Sequence, residues 1–510
     1  MSKISYTKNY FQIYFWQGIS LILNFLSMFI VVPFLTSEPN VYGIYTVCIS
    51  VSIFLSYADF GFMGAGQKYA AEYFSRGQTK EEIKVIGFTL FVLMVFLLFL
   101  SAVFLLLSSK PSLLINGIND GNQIHIASTL LLIIALFTPV SFLQRLTQMI
   151  YGIRLEDYIV QRINICANTI KIASVFWFFR NNEYNIIGYF LFTQILSFAS
   201  ALVSLYIAKK RYNYDFKTLI KSIRFSSEVF SKTKGLAFTS LYLTVIWILY
   251  YELDSTVIGK FFGANHVAFY AIGLTILSFF RSIFGIFYAP FNARFNHFVG
   301  QNDSKGLKDI YSNVVIFFAP VVVIPILTMT LLASPIILTW VGDRYVESVE
   351  IAQFLIMCNL FAFITYPTGI LMMAKEKLKD MYIVNTLIPI VFWTGIILTN
   401  NFWGIKSFAI FKLVAFVFSA IVYYKYMLKY IGMKFSHSIN VIFKPLILPV
   451  LFVVSISLII KDYLPVEKSK EHFLIVLFAA FCIMCISFCI QIFTSNKIRH
   501  YFILLLKRTF

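Results

Sequence analysis

The stretch VIGFTLFVLMVFLLFLSAVFLLL, residues 85–107, decides the fold class. It carries no charged side chain, and as an α-helix it is long enough to cross the roughly 30 Å apolar core of a bilayer. Similar apolar blocks recur along the chain, and together they predict about fourteen membrane spans. We therefore predict an all-α, polytopic membrane protein. The predicted spans are residues 11–35, 42–66, 85–107, 124–150, 159–180, 187–208, 236–262, 266–290, 312–333, 350–373, 381–399, 403–424, 441–460 and 473–493.

The composition of the whole chain agrees with this prediction. Of the 510 residues, 59% are hydrophobic and 13% are charged, about half the charged share of a soluble protein. The mean hydropathy is +0.80. This excludes a soluble globular protein, a disordered chain and a disulfide-stapled secreted domain. Cys482, Cys485 and Cys489 share a face of the last span without His or carboxylate neighbours, so no metal site is predicted there.

The distribution of Lys and Arg predicts the orientation. No cleavable signal pattern precedes the first apolar block, which we assign as span 1. With the N-terminus inside, the cytoplasmic segments hold about four Lys and Arg for every one in the outer segments. We therefore expect both termini to face the cytoplasm, and most of the net charge of +19 reflects topology rather than nucleic-acid binding.

A basic segment lies between the sixth and seventh spans. Residues 209–235 contain eight Lys and Arg interleaved with apolar residues at helical spacing, which predicts an amphipathic helix on the inner leaflet. We expect this helix to link two bundles. The predicted division is an N-lobe of spans 1–6 (1–208), the linker (209–235), a C-lobe of spans 7–12 (236–424), and spans 13 and 14 with a cytoplasmic tail (425–510).

An internal repeat at an offset of about 225 residues supports two bundles. RLEDYIV at 154–160 and KLKDMYIV at 377–384 each connect the fourth and fifth spans of a six-span set. YFSRGQ at 73–78 and NHFVGQ at 296–301 each follow the second span. Because six spans is an even number, the two copies keep one orientation, as in transporters whose repeats are related by an axis along the membrane normal. The substrate path should then lie between the copies.

Two stretches resemble a known family. DFGFMGAGQKYAAEY at 59–73, and DSTVIGKFFG at 254–263 with FYA at 269–271, resemble polysaccharide-lipid flippases. These form the O-antigen and capsule branch of the multidrug/oligosaccharidyl-lipid/polysaccharide transporter superfamily. The resemblance covers about residues 5–490. It implies fourteen spans in V-shaped N and C lobes, and flipping of undecaprenyl-pyrophosphate-linked oligosaccharide to the outer leaflet of a bacterial inner membrane. A polysaccharide polymerase and chain-length machinery are the partners it implies.

No motif for covalent catalysis or nucleotide hydrolysis is present, so the sequence predicts a non-enzyme without a cofactor. Energy would come from an ion gradient or from the substrate gradient itself.

Cations inside the spans are the strongest candidates for binding. Arg281, Lys171 and Lys412 lie deep in spans 8, 5 and 12, where a cation costs at least about 2.5–3.5 kcal/mol unless it faces protein or water. They could bind an anion such as pyrophosphate, or reflect local pairing, snorkelling or a misplaced span boundary. Lys68 and Arg76 lie at the inner mouth, where head-group capture and loop topology explain them equally well.

Fewer acids and polar residues are candidates. Asp254 and Glu252, toward the outer end of span 7, could hold a coupling ion, although Asp254 could instead pair with Lys260. Asp59 is an ion-coupling candidate that a capping role before a glycine explains better. Gln17 and Asn24 share one face of span 1 and could meet sugar hydroxyls, although helix–helix hydrogen bonds are the commoner use.

Two other functions remain open. An ion-coupled drug or cation exporter of the same superfamily would need an apolar or acidic cavity, whereas the deep charges here are mostly positive. A polysaccharide polymerase or ligase would need outer catalytic segments, and the predicted outer loops are short. A cationic cavity lining favours the flippase, a carboxylate-rich lining favours the exporter, and a large outer cleft favours the enzyme.

The orientation can be tested by labelling. In a chain without its native cysteines, single Cys residues placed within 215–230 should react with an impermeant maleimide only from the cytoplasmic side, because this segment is strongly basic. A Cys at Asn40, in a predicted outer loop, is the control and should react from outside. Outside labelling within 215–230 would overturn the topology.

Overall fold

The computed structural model describes residues 6–118, 120–180 and 184–499, except for the side chains of residues 6–11 and Ala293. Helix accounts for 88% of the structure, and no strand occurs within these ranges. The prediction of an all-α polytopic membrane protein is confirmed.

Within the described ranges, fourteen helical segments coincide with the fourteen predicted spans. In the described residues, twelve are both long and apolar enough to cross a membrane, or thirteen if the bent pair α10 is one span. The remaining segment, α5, has 21 residues but carries polar side chains throughout, including Arg162 and Lys171. The segments are α1 (Tyr6–Leu35), α2 (Pro39–Ser75), α3 (Thr79–Ser109), α4 (Gly121–Ile153), α5 (Tyr158–Phe178), α6 (Ile186–Tyr212), α7 (Ser227–Phe261), α8 (Ala264–Gly300), α9 (Ser304–Leu331), α10 (Asp343–Met357 and Ala362–Ala374), α11 (Leu378–Trp403), α12 (Lys406–Ile431), α13 (Phe435–Ile460) and α14 (Lys470–Thr494).

The chain forms two compact units, Met1–Ala268 (unit 1) and Phe269–Phe510 (unit 2). In unit 1, α3 packs against α4, α5 against α1 and α6, and α7 against α2. In unit 2, α11 packs against α12, and α13 and α14 pack against each other and against α9. The short helix Ala333–Val341 lies against α14. The contacts with α2 place α7 in unit 1.

Helix α2 is interrupted at mid-length. Its first part gives way to a 3₁₀ stretch, Ile53–Tyr57, and the α-helix resumes at Phe62. Gly61 has φ of +79°, and a Cβ there would lie 2.4 Å from the carbonyl oxygen of Ala237 in α7. Only glycine suits both the left-handed backbone and this close approach.

The ends of α2, α4, α6, α8, α10 and α12 repeat one geometry. Each is followed within two residues by a residue with positive φ, and at five of the six ends a backbone N–H donates to the carbonyl five residues earlier in the chain. The Gln78 N–H donates to the Tyr73 carbonyl at 2.9 Å, and about 225 positions later the Asp303 N–H donates to the Phe298 carbonyl at 3.0 Å. This is the hydrogen bond of a Schellman cap. The local geometry therefore repeats as the sequence offset predicts. The positive-φ residues are Gly77, Leu155, Asn213, Asn302, Glu376 and Gly432.

A buried ion pair joins several helix ends in unit 1. Arg154 Nη2 lies 2.8 Å from Glu82 Oε1, with side-chain exposures of 9% and 1%. The guanidinium also lies 4.6–5.3 Å from three aromatic ring centroids. Removing one member of such a pair leaves the other charge buried without its partner, so both residues hold the ends of α2, α3, α4 and α6 together. The aromatic residues are Phe74, Tyr212 and Tyr214.

The basic linker forms a shorter helix than the sequence predicted. Helix α6 continues to Tyr212, only Phe216–Ser222 forms a separate helix, and α7 starts at Ser227. Hydrogen bonds from Thr218 to the Asp215 carboxylate cap this helix and hold the pKa of Asp215 below its usual range. Leu219 is buried. The helix therefore packs onto unit 1 instead of lying along a surface over its full predicted length.

The contact between the start of α2 and the start of α8 gives a stability test. A Cβ on Gly43 would lie 1.8 Å from the Ala264 carbonyl oxygen, whereas a Cβ on Gly64, also in α2, meets nothing within 4 Å. Gly43→Ala should therefore destabilise the protein by about 1–3 kcal/mol and lower its unfolding temperature in detergent. Gly64→Ala should be neutral or stabilising by up to about 1 kcal/mol. Equal unfolding temperatures for wild type and Gly43→Ala would contradict this packing.

Candidate functional site

Two irregular stretches of unit 1 lie side by side within the membrane-spanning helices. One is the 3₁₀ stretch Ile53–Tyr57 of α2, and the other is a π-helical stretch of α7, Ile248–Glu252. The Tyr57 hydroxyl joins them by donating to Glu252 Oε1 at 3.4 Å, and beside the two stretches the Ser50 and Thr256 hydroxyls lie 3.1 Å apart. We call these stretches the paired break. Broken helices and π-bulges are frequent at functional sites of membrane proteins.

Glu252 is the carboxylate of the paired break. Its Oε1 also accepts a hydrogen bond from Trp247 Nε1 at 3.1 Å, and the side chain is half-buried. The Trp247 ring stacks on Tyr251 with centroids 4.4 Å apart and planes at 6°, and Tyr250 packs near both rings. A carboxylate in a membrane-spanning helix can hold a proton or a small cation, and here it has two hydrogen-bond donors and an aromatic wall.

Asp254 lies two residues further along α7. It is fully buried, at 0% exposure, in the first turn of the regular helix that follows the π stretch. Lys260, proposed as its partner, is exposed and donates to the Ser112 carbonyl at 3.4 Å. Asp254 therefore belongs to the interior of unit 1, whereas Lys260 lies at the end of α7.

Arg145 of α4 was not among the predicted site residues, yet it reaches the paired break. Its Nη2 donates to the Ser56 carbonyl at 2.7 Å and its Nη1 to Gln148 Oε1 at 3.0 Å. The guanidinium thus satisfies a carbonyl within the 3₁₀ stretch, where the regular helical ladder is interrupted.

The other predicted residues on α1 and α2 lie apart from these contacts. Asp59 Oδ2 accepts the Met63 N–H at 3.0 Å, which is the capping arrangement that the sequence favoured. Lys68 and Arg76 are exposed toward the far end of α2, with Lys68 Nζ 5.1 Å from the Tyr69 ring centroid. On α1, Gln17 is half-buried and Asn24 is exposed.

The three deep cations differ in their surroundings. In unit 1, Lys171 of α5 is half-buried and donates to Ser197 Oγ of α6 at 2.8 Å. In unit 2, Lys412 of α12 is 1% exposed, with its ammonium 5.2 Å from the Phe392 ring centroid of α11. These contacts match the local-pairing alternative for Lys171 and place Lys412 in the helix packing.

Arg281 lies near the middle of the 37-residue helix α8 and is half-buried. Its backbone carbonyl accepts a hydrogen bond from the Tyr366 hydroxyl at 3.4 Å. Tyr366 stacks against Tyr288, with ring centroids 5.3 Å apart. The aromatic neighbours fix the local backbone, and Arg281 as a whole residue is more exposed than Lys412.

Within the described residues, no group of three or more His, Cys, Asp or Glu could hold a metal ion. Cys485 and Cys489 are exposed and Cys482 is half-buried.

No protein-family model and no curated protein matches the chain. Solved structures do match it. The lipid II flippase MurJ, in an inward closed conformation, has a TM-score of 0.61 at 15% identity, covering 91% of this chain and 97% of that one. An inward-facing multidrug resistance MATE family transporter of the MOP superfamily has a TM-score of 0.59 at 14% sequence identity. The match covers 81% of this chain and 94% of that one. A MOP superfamily transporter from Pyrococcus furiosus has a TM-score of 0.51 at 12% sequence identity. The match covers 82% of this chain and 94% of that one. At these identities the likeness shows that the chain shares their fold.

The emission of Trp247 should report on Glu252. Because hydrogen bonds to an ionised acceptor are roughly twice as strong as neutral ones, neutralising Glu252 with Na⁺ or acid should weaken the Trp247 bond and shift its emission to shorter wavelength. The spectrum of wild type minus that of Trp247→Phe isolates this signal. Glu252→Gln should abolish the response. A difference spectrum that responds to neither Na⁺ nor acid would reject Glu252 as a cation or proton site.

Proposed function

We propose that the protein is a flippase that moves undecaprenyl-pyrophosphate-linked oligosaccharide, such as an O-antigen or capsule repeat unit, from the cytoplasmic to the outer leaflet by alternating access. The shared fold with a lipid II flippase supports a lipid-linked substrate. The sequence resemblance at 59–73 and 254–271 supports the polysaccharide branch. The proposal includes no catalytic step, since the structural neighbours are transporters.

Arg281 is the observation on which this proposal depends. An Arg near the middle of an apolar membrane helix costs at least about 2.5 kcal/mol unless protein, water or a ligand compensates it. Its planar guanidinium can match two phosphate oxygens at once. A pyrophosphate carries at least two negative charges and must cross a region of low dielectric, so a fixed cation on its route would lower the barrier.

Lys171 and Lys412 would act less directly. The hydrogen bond of Lys171 to Ser197 and the burial of Lys412 beside Phe392 leave them less available to a large head group. We propose that they raise the positive potential within their units. Lys68 and Arg76, both exposed, would make the first contact with the head group.

One observation favours a second candidate, an ion-coupled exporter of cations. Glu252 and Asp254 lie in one helix, and Trp247 and Tyr251 form an aromatic wall beside Glu252. Aromatic rings and carboxylates suit organic cations. In the flippase proposal the same acids couple transport to H⁺ or Na⁺. The Pyrococcus transporter has a binding pocket whose reverse polarity suggests a different function, so pocket polarity can differ among proteins of this fold.

The proposed setting is a bacterial inner membrane with both termini cytoplasmic, as the Lys and Arg distribution predicts. A polysaccharide polymerase and chain-length machinery would use the product. Deleting the protein should then trap the lipid-linked glycan on the inner leaflet while its synthesis continues. An exporter would instead change the efflux of organic cations and leave the glycan unaffected.

Substitution of Arg281 tests the proposal directly. Arg281→Ala should lower glycan export per molecule by at least about tenfold, as expected when a bond between two charged groups is lost. Arg281→Lys should retain part of the activity, because Lys keeps the charge but not the planar fork. Lys171→Ala and Lys412→Ala should each reduce export less. The measurement is exported glycan normalised to the amount of protein in the membrane.

Arg294→Ala is the matched control, because Arg294 is exposed on the same helix. It should export normally. Near-normal export by Arg281→Ala at normal protein level would reject the anion-site assignment. Low abundance with normal export per molecule would show that Arg281 serves only local packing.

A further inference from the structure

A polar cleft of about 280 Å³ lies at one end of unit 1. It forms where the α1–α2, α3–α4 and α7–α8 connections meet. Because successive spans alternate in direction, these connections lie at the opposite end of the unit from the Arg154–Glu82 pair. The principal lining side chains are Asn40, Asn116, Gln123, Phe262, Asn265 and His266.

The chemistry of the lining suits neutral hydroxyl groups. Four amide side chains come from different segments, and each offers both donors and acceptors, as a sugar hydroxyl requires. Among the described residues that line the cleft, none is Asp, Glu, Lys or Arg, which disfavours a phosphate or a metal ion. The half-buried ring of Phe262 offers an apolar surface for the C–H face of a sugar ring.

His266 contributes a defined acceptor. Its Nδ1 lies 2.8 Å from the Phe262 carbonyl oxygen. Since a carbonyl can only accept, Nδ1 carries the proton, and Nε2 of the neutral ring is then the acceptor nitrogen.

The walls of the cleft are held close together by backbone contacts. The Asn116 N–H donates to the Gly259 carbonyl at 3.0 Å, which fixes the α3–α4 connection to α7. Gly263 has φ of +90°, and a Cβ there would lie 3.1 Å from the Asn116 carbonyl oxygen. At Gly43 the approach of α2 to Ala264 is closer still, since a Cβ there would lie 1.8 Å from the Ala264 carbonyl oxygen. The cleft is therefore formed before a ligand arrives, which lowers the cost of binding.

We propose that this cleft binds neutral sugar units of the transported glycan. The choice of a glycan rests on the proposed function. In the orientation predicted from the basic residues, this end of unit 1 faces outward, where a translocated head group emerges. The cleft then holds the sugars beside the outer leaflet while the pyrophosphate leaves the membrane-spanning region.

The test uses soluble sugars and the full-length protein in detergent. The probes are methyl glycosides of glucose, galactose and N-acetylglucosamine, and the measurement is saturation-transfer difference NMR. At least one glycoside should receive transfer from wild type. The double variant Asn265→Leu/Gln123→Leu should lose that signal, because each Leu removes the donors and acceptors of an amide. Gln301→Leu, an exposed Gln at the end of α8, should retain it.

Unfolding temperatures of the variants verify that each is folded. Absence of transfer from wild type to all three glycosides, or an unchanged signal in the folded double variant, would overturn the proposal. The probes carry neither lipid nor pyrophosphate, so this result is independent of transport. Suppose that Arg281→Ala exports glycan normally, while wild type binds a glycoside and the double variant does not. This combination would reject the anion site and support the sugar cleft.

Discussion

Backbone hydrogen bonding in a medium without water is the constraint on which this structure depends. Inside a bilayer, each N–H and C=O must find its partner within the protein, which regular helices provide automatically. Where α2 is not a regular α-helix, side chains form hydrogen bonds with the backbone groups of that stretch. Arg145 donates to the Ser56 carbonyl, and Asp59 accepts the N–H of Met63. Tyr57 and Ser50 then reach across to α7. The irregular stretch is thus held by its neighbours, which is how a membrane protein keeps non-helical backbone and polar side chains at depth.

The charged side chains within the spans also find partners inside the protein, although some are better satisfied than others. Lys171 has a hydroxyl partner on the next helix, Lys412 lies beside an aromatic ring, and Glu252 has two donors. These contacts reduce the cost of each charge, but they also reduce its availability to a ligand. Arg281 and Glu252 are half-buried as whole residues, whereas Lys412 and Asp254 are almost fully buried. The proposed anion site accordingly depends on Arg281, and the proposed ion coupling depends on Glu252.

Sequence patterns predicted the helices well because apolar length is a property of one segment at a time. Each predicted span falls on a helix, and even the cap after α2 recurs about 225 residues later. Contacts between segments could not be predicted from the sequence in the same way, because they involve residues of different helices. Trp247 and Tyr57, the donors to Glu252, lie on two different helices, and neither the 3₁₀ nor the π stretch changes the apolar pattern. The one available signal was the run WILYYELD at 247–254, in which aromatic and acidic residues interrupt an apolar helix. The polar lining of the cleft is likewise spread over three connections, each unremarkable alone.

The π stretch of α7 also changes how substitutions along that helix should be interpreted. A regular helix turns about 100° per residue, and a π-bulge accommodates one additional residue, so the two halves of α7 are out of phase by about that angle. One helical wheel cannot describe both halves. Loss of a single residue anywhere in 248–252 would turn the whole following segment, Leu253–Phe261, with its buried Asp254, onto a different face. The length of the π stretch therefore determines which way the side chains of Leu253–Phe261 point, even when none of those residues is substituted.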